Sequence, residues 1–552
     1  MITIFHARSI LTMNPGQDRA THVAVRDGKI LAVGMKEDAA KWIEAWPADT
    51  KLDERFADQV LMPGFVEGHS HLMEGLMWDY IYVGFYDRMG PDGKVWSGLK
   101  TIEAVTTRLK EFDDARDDKS APIIAWGFDP IFFGDRRLNR DDLDAVSTQC
   151  PALILHSSLH IVNTNSFIIN EAGVDANNNS EFIRRNDDGQ PTGEFLGQVG
   201  LFMAMRATGL DLLAAFSKPH VLENFASVAQ RAGVTTATDL ANSLPEDAVK
   251  GLCAATERRE FPVRLVIAYS GNAAEAEDGI KRLKEVAPLQ NDKLRMNIVK
   301  LVGDGSIQGF SARLKWPGYE NGSPNGLWYI EPDRLNKLIL DYNKAGIQIH
   351  VHANGDETID AVLNAFEAAL SAHSHPDHRH TLQHCQMADR AQFKRMKALG
   401  LGVNLFSNHI FYWGDAHIEQ TMGRDRANRL DDAGAALAEG IPLAIHSDAP
   451  VTAIGPLFTA WCAVNRVTST GQRLGGDAQR ISVDEALEAI TLGAAYSLKM
   501  DSEIGSIEIG KLADFAVLSH NPKDEEPEKL KDISVVATVV GGHVFMNDTS
   551  SD

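Results

Sequence analysis

Between residues 64 and 445, this 552-residue chain alternates short apolar, β-rich runs with helical patterns, and that rhythm constrains the fold more than any other feature. Parallel strands need a long return connection, usually a helix, so the alternation predicts a parallel sheet with crossover helices. Eight strand candidates stand at 64–67, 235–239, 263–268, 296–301, 348–351, 381–383, 402–405 and 443–445. After the fifth, Ile359, Val362, Leu363, Phe366 and Leu370 make one apolar face at helical spacing. After the eighth, Ser482 and Glu485 form a capping box ahead of Leu487 and Ile490. Eight strands fit a closed (β/α)8 TIM barrel of α/β class better than an open sheet.

Both ends of the chain read as β. Runs at 22–26 and 29–33 flank Asp27-Gly28, a two-residue loop suited to a type I′ hairpin. Runs at 514–518 and 535–540 precede Gly541-Gly542, a second turn signal. The expected organisation is a small β-sandwich domain built from residues 1–60 and 501–552, with a barrel domain over 61–500. Between the first two strands, residues 72–234 hold far more chain than one crossover helix needs. The loops after barrel strands lie on the catalytic face, so this insertion reads as a lid or substrate domain.

The formal net charge of −22 disfavours nucleic acid and anionic membranes as partners and leaves a small-molecule substrate as the expected one. Four cysteines (Cys150, Cys253, Cys385 and Cys462), none in a C-x-x-C pair, make no disulfide framework in so long a chain. With no signal-peptide pattern and no apolar stretch of about 18 residues, the expected location is cytoplasmic.

The chemistry gathers where the strand candidates end. His69 and His71 follow the first, and residues i and i+2 of a strand point the same way, so two imidazoles can hold one divalent ion. Alone the pair is a weak signal and reads first as two polar loop histidines. The other strand ends add Lys300, His350 and His352, His384, and Asp448. Catalytic groups of a barrel come from such positions. A lysine inside an apolar strand is costly and needs a reason, either a role in the site or an ion pair with Asp304. His409 and Trp413 follow the seventh strand, where a substrate-polarising group would be useful; packing is the alternative. Phe128, Phe132 and Phe133 read as packing the insertion onto the barrel, or as lining for an apolar substrate pocket.

Taken in order, the motifs resemble the amidohydrolase superfamily, and within it the amidohydrolase 3 or YtcJ-like branch that includes N-substituted formamide deformylase. The text that carries the likeness is Leu-Met-Pro-Gly-Phe-Val-Glu-Gly-His-Ser-His at 61–71, Arg-Leu-Asn-Arg-Asp-Asp-Leu-Asp-Ala-Val at 137–146 and Pro-Thr-Gly at 191–193. It continues with His-Ala-Asn-Gly-Asp at 352–356, Ser-Asp-Ala-Pro-Val at 447–451 and Ile-Gly-Ser-Ile-Glu-Ile-Gly-Lys-Leu-Ala-Asp at 504–514. The resemblance implies that His69, His71 and Asp448 bind one metal, that His352 and His384 bind a second, and that Lys300, carboxylated on its amine, bridges them. It implies one or two divalent ions, zinc being the expected metal, with Asp448 as catalytic base and then acid. It also makes His160, in Leu-His-Ile-Val-Asn-Thr-Asn-Ser, a candidate substrate contact, and a homodimer the expected assembly. Departures from the pattern are His446 where Gly is usual before Ser-Asp, Gln383 where Glu is frequent before His384, Gly197 and Gln198 where an acidic residue often follows Pro-Thr-Gly, and Leu159 where Gly is usual before His160.

The function so implied is hydrolysis of a linear C–N bond, of amide, N-acyl or N-formyl type, by water activated at the metal. The alternatives are deamination of a ring substrate at a single metal and hydrolysis of a lactone or ester. Ring deaminases generally carry Glu three residues after the fifth-strand histidine, where this chain has Gly355. A non-catalytic scaffold would have lost ligands, and all six positions are filled.

Overall fold

Strands Phe65–Glu67 (β1), Val234–Asn242 (β2), Arg264–Ser270 (β3), Leu294–Val302 (β4), Gln348–Ala353 (β5), Thr381–His384 (β6), Gly402–Leu405 (β7) and Leu443–Ile445 (β8) make one sheet in a computed structural model that describes residues 1–134, 136–175, 180, 182–209 and 218–547. The strands lie in chain order, and every neighbouring pair is parallel. At the seam between β8 and β1, the Asp448 amide donates to the His69 carbonyl at 3.1 Å. There the amide and hydroxyl of Ser447 also donate to the Glu67 carboxylate, at 3.1 and 2.8 Å. The architecture is a TIM-type (β/α)8 barrel, as the alternation predicts. Helix Asp356–Ala372 buries Ile359, Val362, Leu363 and Phe366 on one face, and helix Val483–Ala489 starts at the Ser482–Glu485 capping box. Val66, Val266, Ala268, Ile298 and Ala444 from the strands share one apolar cluster.

By contact the chain divides into two units: Met1–His71 with Ala226–Asp448 and Ile454–Asp552, and Leu72–Phe225 with Ala449–Ala453. The first contains the barrel and a seven-stranded sheet to which both chain ends contribute. Phe515–Leu518 pairs with Lys51–Pro63, which pairs with Ile2–Leu11. Phe5, Val23, Val25, Phe56, Phe515 and Val517 pack into one core. Asp27 and Gly28 both have positive φ, 52° and 77°, as a type I′ turn requires. The β reading of the first 60 residues lacks one element found here, the helix Lys36–Ala45. Its Ala39 and Trp42 pack on Ile2, Ile4 and Ala24 across the other face of the same sheet.

The second unit has a six-stranded sheet and a helix, Ile102–Ala115, whose Ile102, Val105 and Leu109 pack on Ile123, Phe128 and Ile154. Phe128 stacks on Phe133 with centroids 4.6 Å apart, and Phe132 leans on Phe85 at 5.1 Å, so these rings pack within the unit. Buried Arg88 pairs with Glu74, donates to the carbonyls of Pro450 and Thr452, and lies over the Trp126 ring. The chain just after Asp448 is held by that guanidinium. Among the described residues no helix is long and apolar enough to cross a membrane. All four cysteines are free.

Candidate metal centre

His69 and His71 leave β1 and meet Asp448 just past β8: both Nε2 atoms face the same carboxylate oxygen, Oδ1, at 3.2 and 3.3 Å. Asp448 adopts φ +55°, and His384, at the end of β6, φ +70°. Left-handed backbone at non-glycine residues is strained, and such strain gathers where a side chain must be aimed. His384 Nδ1 lies 3.9 Å from Asp448 Oδ2, and its ring is 4.6 Å from that of His69 and 4.4 Å from that of His352. Lys300, on β4, places Nζ 3.2 Å from His69 Nε2. The structure therefore brings His69, His71, Lys300, His352, His384 and Asp448 into one cluster at the carboxyl ends of the strands, all buried except the partly exposed His71.

A hydrogen-bond chain sets the tautomer of His69. Its Nδ1 donates to Gln383 Oε1 at 2.8 Å; Gln383 Nε2 donates to His350 Nδ1 at 2.9 Å; His350 Nε2 donates to the Ser497 carbonyl at 3.0 Å. The link at 383 must accept on one side and donate on the other, which an amide can do and an ionised carboxylate cannot. That is a physical reason for Gln at this position. Its effect is to leave the His69 Nε2 lone pair facing Asp448 and Lys300. His350 thus supports the cluster through Gln383.

Asp304 takes no ion pair with Lys300. Fully buried, it accepts the backbone N–H groups of Asn354, Gly355 and Arg313 at 3.0 Å each, pinning the loop that follows His352. Gly355 is required there because a Cβ would stand 1.8 Å from the Arg313 carbonyl oxygen. Gly355→Ala is expected to displace this loop and weaken metal uptake by about 10-fold or more, the range for losing support to a ligand; a chelator-competition titration measures it, and unchanged uptake would count against the loop's role.

Two acidic or imidazole groups missing from the sequence-predicted ligand set join the cluster. Asp239, near the end of β2, lies 3.7 Å from His71 Nδ1; an acidic residue closing a strand candidate was its available signal. His446, two residues before Asp448, stacks on His69 with centroids 4.5 Å apart. Of the predicted substrate contacts, His409 and Trp413 lie on helix Asn408–Ala416 after β7, each 2% exposed. His409 packs on Phe406 and Trp413, with Nδ1 3.4 Å from Asp431 Oδ2. His160 belongs to the second unit, where its carbonyl accepts from the Gly197 amide at 2.7 Å; the Gln198 side chain lies outside the described residues.

Electrostatics favour a cation here. Burial opposes charge on His71, yet the carboxylates of Asp239 and Asp448 outweigh it and push its pKa up to about 9. Burial, then neighbouring positive groups, hold His69 and His384 well below the usual imidazole range, so they present lone pairs. Burial brings the Lys300 ammonium down to about 7, with Asp448 opposing. The donor atoms of His69, His71 and Asp448, and those of His69, His384 and His446, each lie within 4.8 Å of one another. Asp448 Oδ1, His384 Nδ1 and both nitrogens of His446 are buried without a hydrogen bond. Imidazole nitrogens and a carboxylate, left unsatisfied and convergent, fit a divalent ion such as zinc, manganese or iron.

A family model described as the amidohydrolase family matches residues 57–546. The chain is 25% identical to the putative amidohydrolase YtcJ of Bacillus subtilis, covering 99% of each. It is 24% identical to the N-substituted formamide deformylase of Arthrobacter pascens, covering 98% of each. Among solved structures, an uncharacterized metal-dependent hydrolase from Pyrococcus horikoshii superposes with a TM-score of 0.71 at 20% identity, over 96% of this chain and 99% of the other.

Proposed function

Because this chain belongs to the amidohydrolase family, we propose that it is a hydrolase that cleaves a linear C–N bond of a small molecule, of amide, N-acyl or N-formyl type, at a centre of one or two divalent ions, zinc foremost. The observation that carries the reading is the convergence of His69 and His71 on one oxygen of Asp448 at the ends of β1 and β8. His69, His71 and Asp448 would hold one ion, His352 and His384 a second, with Lys300 between. When bound, such an ion polarises a carbonyl oxygen and lowers the pKa of water to about 7.

The chain's own groups do the rest. Gln383 fixes His69 with Nε2 facing inward. Asp448 takes a proton from the attacking water and returns it to the leaving nitrogen, so that the amine departs neutral and the carbonyl carbon leaves as an acid. Lys300 is suited to carboxylation because burial holds its pKa at about 7, so the neutral amine that adds CO2 is well populated at neutral pH. The likeness to N-substituted formamide deformylase supports small N-substituted formamides as the first substrates to try.

The test combines metal analysis with a substrate panel. Chelator-free protein is expected to carry about two metal equivalents, fewer in Lys300→Ala, as a carboxylated bridge between two ions would require. Added bicarbonate should raise loading in the wild type and not in the variant. On a panel of N-alkylformamides, N-acyl amines, matching esters and aminated heterocycles, amine release from the first two is the expected result. Ammonia from the heterocycles, or turnover of esters alone, would replace this reading; one equivalent unchanged in Lys300→Ala would remove the bridge.

A further inference from the structure

We propose that His446 is a ligand of this metal centre, supplying a ring nitrogen to the ion held by His69. The proposal rests on the reading that a divalent ion binds here. His446 directly follows β8 and is 1% exposed, and neither of its ring nitrogens has a hydrogen bond. A neutral imidazole carries one N–H and one lone pair, and a buried histidine kept only for packing would leave both unsatisfied. The ring lies near-parallel to Phe406 (centroids 5.0 Å apart, 21°) and to His69 (4.5 Å, 18°). Its third neighbour is His384, at 5.0 Å and 63°, whose Nδ1 is also buried and unsatisfied. Donor atoms of His69, His384 and His446 lie within 4.8 Å of one another, so a ring nitrogen of His446 stands among the donors of this centre.

In the pattern that the sequence resembles, glycine is usual before Ser-Asp, and a glycine donates nothing from a side chain. A histidine here adds a neutral donor to the centre without adding negative charge. The ion would therefore depend less on Lys300 for its coordination than one held by two histidines and a carboxylate.

Cobalt(II) is the probe, because its visible ligand-field bands report the number and type of donors. Wild type, His446→Ala and His446→Phe are loaded with Co(II) and compared by absorption and by chelator competition. The phenylalanine variant keeps an aromatic ring against Phe406 and His69 while removing the nitrogens, and circular dichroism checks the fold of each. Both variants are expected to lose at least 10-fold in Co(II) affinity, and their bands to shift. Loss of a supporting group alone can also weaken affinity, so the deciding readout is rescue: added imidazole should restore the wild-type bands in His446→Ala. Bands superimposable on wild type in the loaded variants, or no response to imidazole, would overturn the role of His446 and leave the proposed function intact. Failure of the wild type to bind Co(II) or zinc at all would overturn both.

Discussion

Asp448→Asn is expected to lower amide turnover by about 10²–10⁴-fold, the contribution of a positioned acid–base group, while the protein stays folded. Asparagine has nearly the same shape and is one of the few residues that tolerates the left-handed backbone found at 448. The amide of residue 448 can still donate to the His69 carbonyl and close the seam between β8 and β1. What is lost is a carboxylate that can carry a proton and that faces both His69 and His71. Steady-state kinetics with metal analysis on the same preparation separates two roles. A large loss of kcat with metal retained assigns proton transfer to Asp448; a loss that tracks missing metal assigns ligation. Activity within about 10-fold of wild type, below the usual acid–base contribution, would rule out Asp448 as the proton carrier.

Arg264→Leu is expected to destabilise the first unit by about 3–5 kcal/mol, because it strands a buried charge. Arg264 begins β3 and reaches the seven-stranded sheet, where its Nε and Nη2 donate to Asp514 at 2.6 and 3.0 Å. The two side chains are 4% and 2% exposed, so water cannot take over when one is removed. Asp514 also accepts the Gly541 amide at 2.7 Å. An asparagine at 514 could keep that bond through its carbonyl oxygen while carrying no charge. The double variant Arg264→Leu with Asp514→Asn should therefore recover more than half of the loss. Calorimetry of the three proteins measures this, and a single variant within about 1 kcal/mol of wild type, the range of an exposed pair, would show that the pair is solvated.

Legibility varied with how local the determining contacts are. The strand candidates at 402–405 and 443–445 coincide with β7 and β8, and the others overlap their strands with ends shifted by a few residues. A parallel strand buried on both faces reads as an unbroken apolar run. Strand Lys51–Pro63 shows the opposite case: its first five residues include Lys51, Asp53, Glu54 and Arg55 and are largely exposed, so only its last part carries a strand signal. Helix Lys36–Ala45 was hidden for a related reason, since its packing partners, Ile2, Ile4 and Ala24, lie on strands that precede it.

The repeated strand and helix units and the residues that close each strand could be read along the chain, because period and chain order are local properties. His69, His71, Lys300, His352, His384 and Asp448 were legible in that way. How they meet emerges in the folded barrel: Gln383 must be an amide because it lies between His69 and His350, Asp304 serves the loop after His352 instead of pairing with Lys300, and Asp239 and His446 enter the cluster. These relations depend on barrel register and on closure of the sheet, which sets Ser447 against Glu67 across 380 positions of chain. No local pattern encodes a contact of that span, so it becomes visible only when the eighth strand has closed on the first.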